Sequence, residues 1–112
     1  MQVRNYNRVY FHHPIIGNLQ IKEYEQKQVN SKHARIEILN IGPGGLCFLS
    51  PLKFPVKNGL IVQVNFHQEK VVGQIVWKHQ MHGHYTYGLK SFSSNISFLQ
   101  INNEFKAFNV GH

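Results

Sequence analysis

A chain of 112 residues and 13.0 kDa, 42% apolar with eight Phe, five Tyr and one Trp, holds one packed domain and is not intrinsically disordered. Twelve Lys and Arg against five Glu, with no Asp, leave a net charge of +7, which points to an anionic partner: nucleotide, nucleic acid, or an acidic lipid or protein surface. The single Cys47 excludes an internal disulfide and a Cys-based zinc site, and the uncharged stretch between Glu37 and Lys53 is too broken by Gly and Pro to span a membrane as a helix.

The N-terminal segment, with Arg4-Asn5-Tyr6-Asn7-Arg8, has no apolar signal-peptide core, so a cytoplasmic location is expected. Alternation of period two then recurs along the chain, as half-buried strands require. Leu19 and Ile21 alternate with Gln20 and Lys22, and Ala34, Ile36 and Ile38 with Arg35 and Glu37. Leu46 and Phe48 follow a Gly-rich turn, and Val62, Val64 and Phe66 alternate with Gln63 and Asn65. Val71, Gly73, Ile75 and Trp77 share one face of a further strand, and Tyr85, Tyr87 and Leu89 one face of the last. Turn signals at Asn58-Gly59 and His82-Gly83-His84 separate them. The pattern predicts a mostly β protein, a single six-stranded antiparallel barrel, because closure removes exposed edges.

After Ser94, a plausible N-cap, the period changes. Phe98, Ile101, Phe105 and Phe108 recur at spacings of three and four, which predicts a C-terminal helix over 94–108 packed on the barrel. The expected organisation is therefore an N-terminal arm over 1–13, a barrel over 14–93 and that helix, in one domain.

No catalytic constellation is present in the sequence. Without Asp and with scattered Glu, paired-carboxylate chemistry has little material, and no Gly-x-Ser-x-Gly elbow occurs. Cys47 sits among apolar neighbours and reads as an inert thiol. His79, His82 and His84 cluster near one turn but lack a clear fourth ligand, so no metal is expected. A small basic barrel could instead bind RNA or single-stranded DNA through exposed aromatics. Trp77, Tyr85 and Tyr87 fall on the parity assigned to the core, however, so nucleic acid is not the expected partner.

Two features carry more information. Arg4 and Arg8 stand four apart ahead of the first strand, and Asn40-Ile41-Gly42-Pro43-Gly44-Gly45 follows the second predicted strand. Pro43-Gly44 suits the centre of a type II turn, and the flanking glycines leave the backbone open to a ligand. Asn40 continues the inward parity of Ile36 and Ile38 and is expected at the barrel rim.

In this order, on this strand pattern, the chain resembles the PilZ domain, a bacterial receptor for cyclic di-GMP. That family carries Arg-x-x-x-Arg ahead of its barrel and Asp/Asn-x-Ser-x-x-Gly after the second strand. Arg4 and Arg8 fit the first motif, and Asn40 and Gly45 fit the ends of the second. Gly59, Gly73-Gln74-Ile75-Val76-Trp77, Tyr87-Gly88-Leu89 and the terminal helix are also similar, so the resemblance runs from Arg4 to Phe108. The motif serine is replaced by Gly42.

The resemblance implies a binding module with no chemical step, whose ligand site comprises Arg4, Arg8, Asn40, Gly42 and Gly45. Cyclic di-GMP would be its ligand, not a cofactor, and no cofactor is expected. Arginine suits guanine and phosphate alike, because its planar fork grips either and its face stacks on a purine. The resemblance further implies that bound ligand orders the arginine arm and changes the surface shown to an effector protein. The effector it implies belongs to motility or exopolysaccharide machinery, and the receptor is a monomer or a ligand-linked dimer. The alternative is a degenerate adaptor that binds only proteins.

Overall fold

A computed structural model describes residues 8–29 and 31–92 of the chain. Arg4 and the helix expected over 94–108 lie outside the described residues. Seven strands form among the described residues: β1 (Val9–Tyr24), β2 (Lys27–Gln28), β3 (Ala34–Gly42), β4 (Gly45–Ser50), β5 (Leu60–Phe66), β6 (Glu69–Met81) and β7 (His84–Ser91). The two-residue β2 is an appendage to the end of β1. The other six make the expected antiparallel barrel, running β1-β3-β4-β7-β6-β5 and closed by pairing of β5 back onto β1.

Strand β1 is longer than alternation alone suggests. It starts at Val9, which pairs with Ile41, so Val9 to His13 belong to the sheet and not to an arm ahead of it. Pro14 has no N–H for a ladder and falls where the β1–β3 register shifts, between Tyr10 and Ile15.

The inward positions behave as their period predicts. Ile36, Ile38, Phe48, Val62, Val64 and Tyr87 are fully buried, and Leu19, Leu46, Val71 and Ile75 nearly so. Burying each such side chain is worth about 1.5–3 kcal/mol over leaving it in water, which sets the inside of the barrel. Tyr85 packs on the edge of this core, half-buried. Tyr87 also fastens the loop between β4 and β5: its hydroxyl accepts a bond from Phe54 N at 2.7 Å and donates one to Leu52 O at 2.6 Å. Its ring stacks on Phe48 at 5.0 Å between centroids.

Two bulges overturn two expectations about facing. Between Ile38 and Asn40 the β3–β4 register slips by one residue, so Asn40 pairs with Cys47 instead of continuing the inward row. A single extra residue in a strand flips every side chain beyond it to the other face. Ile41, paired with Leu46, therefore enters the core, and Asn40 faces outward. The β6–β7 register slips likewise between Ile75 and Trp77. Trp77 consequently leaves the parity of Val71 and Ile75 and is 43% exposed on the outside of the barrel.

Candidate functional site

Those two bulges align one outward row across five strands. Tyr10 on β1 pairs with Asn40 on β3, Asn40 with Cys47 on β4, Cys47 with Gly88 on β7, and Gly88 with Trp77 on β6. Arg8, immediately before β1, reaches this row, and its Nη1 donates a hydrogen bond to Asn40 Oδ1. A residue that the sequence places 32 positions away thus becomes the partner of the second arginine.

Cys47 stands directly across from Asn40 on β4. Burial pushes its thiol above the ordinary cysteine range, while the positive charge of Arg8 and a hydrogen bond with Asn40 draw it partly back. The thiol is thus protonated at neutral pH and adds no charge to the site.

Gly88 is the counterpart of Trp77. A β-carbon at Gly88 would stand 2.1 Å from Trp77 Nε1 and 2.4 Å from Cε2, so the indole lies where a side chain would otherwise be. Gly45 has a similar constraint with a different neighbour. Its β-carbon would stand 1.9 Å from the Leu89 carbonyl oxygen, so close approach of β4 and β7 demands glycine there. The openness expected at this turn belongs instead to Gly44, around which a β-carbon would meet nothing within 4 Å. The turn is not type II, since Gly44 is not in the left-handed region that type II requires at its second central residue.

Arg8, Gly44, Cys47, Trp77, Gly88 and Lys90 border a shallow hollow of about 290 Å³, together with backbone from Gly45 and Leu89. That volume is near the lower end of small-molecule sites, about 300–1,000 Å³. No acidic residue lines it, whereas Arg8 and Lys90 bring two positive charges and Trp77 a flat apolar face. Such a combination suits a planar, anionic molecule: stacking on the indole, charge from the cations and donors from the guanidinium.

Of the expected site residues, Arg8, Asn40 and Gly45 come together here. Gly42 pairs with Gly45 at the base of the turn, one residue along from the hollow. Trp77, Gly88, Cys47 and Lys90 were not anticipated as site residues. Gly88 within Tyr87-Gly88-Leu89 was the available signal, because a glycine inside a strand marks a close approach. Among the described residues no group of three or more His, Cys, Asp or Glu is gathered as a metal would need. Nor is any helix there long and apolar enough to cross a membrane.

Residues 2–105 match the family model for the PilZ domain. The chain belongs to the PilZ family. No curated protein matches it. PilZ domains are ligand-binding and adaptor domains, not enzymes, and the family includes receptors for cyclic di-GMP. The six-stranded closed barrel of this PilZ chain agrees with the fold its sequence predicts.

Proposed function

We propose that this PilZ domain is a cyclic di-GMP receptor that works by binding alone. The observation carrying the reading is the Arg8–Asn40 hydrogen bond at a cationic hollow walled by Trp77, on a chain matched to the family over residues 2–105. Arg8 grips a guanine edge or a phosphate, a contact worth about 1–3 kcal/mol when bidentate to guanine. Asn40 fixes the direction of that guanidinium and offers its own amide to the ligand. Trp77 supplies a stacking face, and Lys90 a second positive charge.

Arg4 completes the arginine motif and joins Arg8 on the ligand. Gly42 and Gly45 bring the turn backbone alongside. Closing of the arginine arm on the ligand changes the surface offered to an effector protein, with no chemical step.

The second reading, an adaptor that has lost the ligand, draws support from Gly42, which replaces the hydroxyl of the motif serine. Calorimetric titration with cyclic di-GMP, with GTP and cyclic di-AMP as controls, separates the two. Selective binding, weakened at least tenfold by Arg8→Ala, supports the receptor. Absence of heat and of any rise in melting temperature at saturating ligand supports the adaptor.

A further inference from the structure

The outer face that carries the hollow extends well beyond it. Tyr10, at the β1 end of the outward row, is 51% exposed, and Trp77 at the β6 end is 43% exposed. Four strand spacings separate them, about 19 Å measured along the sheet. Tyr10 does not border the hollow. A small-molecule site at Trp77 therefore gives no reason for a second large aromatic at the opposite end of the row.

Positive charge follows the same face. The Arg8 side chain reaches from the β1 end of the row to Asn40 and the hollow beside Trp77; Lys90 stands outward two residues beyond Gly88 on β7, and Arg35 outward on β3 five residues before Asn40, both exposed. Carboxylates are few on this face: Glu37 stands outward on β3 opposite Ile16 and Leu49, and Glu23 outward near the far end of β1 opposite Ile61. The whole chain carries +7. Separated aromatic platforms with cations between them are what a flexible polyanion of stacked bases requires, since every base has a π-face and every link a phosphate. With Trp77 outside the barrel, its expected place in the core no longer argues against such a partner.

We propose that the outer face of β1, β3, β4, β7 and β6 binds single-stranded nucleic acid, with bases stacked on Tyr10 and Trp77 and phosphates held by Arg8, Arg35 and Lys90. The span suits a short segment, within the footprint of about 4–16 nucleotides that single small barrels cover. Stacking on two aromatics confers little sequence preference. The proposal shares Arg8 and Trp77 with the cyclic di-GMP reading but does not depend on it, and Tyr10 belongs to this proposal alone.

The test is fluorescence anisotropy with labelled oligo-uridylate and oligo-thymidylate of about ten nucleotides, matched to that footprint. Binding at low salt should weaken between about 50 and 200 mM salt, with a log–log slope near −2 for three phosphate contacts at about −0.7 each. Tyr10→Ala and Trp77→Ala should each reduce affinity roughly fivefold or more, the scale of one lost base–aromatic stack. Both side chains are exposed, and unchanged melting temperatures would show the variants folded. Tyr10→Ala should leave cyclic di-GMP affinity unaltered, which keeps the two readings separable. Preference for one of the two probes would identify RNA or DNA as the strand bound. No binding to either probe at low salt would overturn the proposal. So would binding that both aromatic substitutions leave intact, which would be charge attraction without a stacking surface.

Discussion

Trp77 Nε1 stands 2.1 Å from where a β-carbon on Gly88 would be, so the indole is seated by the absence of a side chain on the neighbouring strand. Gly88→Ala should therefore displace the ring without touching any charged group. The chain has one tryptophan, so its emission reports the move directly. The expected outcome is a change in emission maximum together with a loss of cyclic di-GMP affinity comparable to that of Trp77→Ala. A shifted emission maximum with unchanged affinity in Gly88→Ala would remove Trp77 from the site.

The hydrogen bond from Arg8 to Asn40 Oδ1 gives a second expectation. Asn40→Ala deletes the acceptor of a bond donated by a charged group and should lower ligand affinity roughly ten- to a hundredfold, corresponding to about 1.5–3 kcal/mol. Asn40→Asp restores an acceptor and turns a bond already assisted by the guanidinium charge into an ion pair. Affinity in Asn40→Asp should accordingly equal or exceed that of the unaltered chain. Calorimetry of the two variants side by side checks this. Equal losses in both would show that the amide N–H₂, not the oxygen, matters.

Gly42 occupies the position where the family motif has serine. Reinstating the hydroxyl with Gly42→Ser should tighten cyclic di-GMP binding by roughly two- to tenfold, the worth of one neutral hydrogen bond. Weaker binding in a variant with an unchanged melting temperature would show that the glycine backbone already serves the ligand.

Cys47 offers a probe of the same hollow. Its raised pKa means that the thiolate, the form that reacts, is scarcer at neutral pH than for a free cysteine of pKa about 8.5. Alkylation by iodoacetamide should be slow near pH 7 and should keep accelerating above the pH at which a free thiol levels off. The sign for stability follows: the neutral thiol favours the fold, and that contribution fades as pH rises through the folded-state pKa. Saturating cyclic di-GMP should further slow alkylation, because Cys47 borders the hollow. Rapid alkylation at neutral pH, indifferent to ligand, would contradict both the burial and the location of the site.

Away from the site, the Tyr87 hydroxyl holds the β4–β5 loop through Phe54 N and Leu52 O. Tyr87→Phe leaves the ring in the core and deprives a buried N–H of its acceptor, at a cost of about 1–3 kcal/mol. For a domain near this size, each kcal/mol lowers the melting temperature by about 4–8 °C. Thermal denaturation should show that loss with ligand affinity unchanged, since Tyr87 points inward. A melting temperature within a degree of the unaltered chain would mean that the loop is held by other contacts.

The sequence by itself determined the barrel and pointed to part of the candidate site. Ile36 with Ile38, Val62 with Val64 and Phe66, and Tyr87 with Leu89 declare their inward faces through period two, because burial is decided locally by alternation. Arg8, Asn40 and Gly45 were legible from spacing and residue type. What only the tertiary structure decided was the facing of Asn40 and Trp77. Each lies just beyond a bulge, and a bulge depends on how many residues the opposite strand sets against it, which no single-strand period records. The same register brings Trp77 over Gly88 and both into line with Asn40. The wall of the hollow thus arises from pairings among four strands, while one of its two cations, Arg8, was written near the start of the chain.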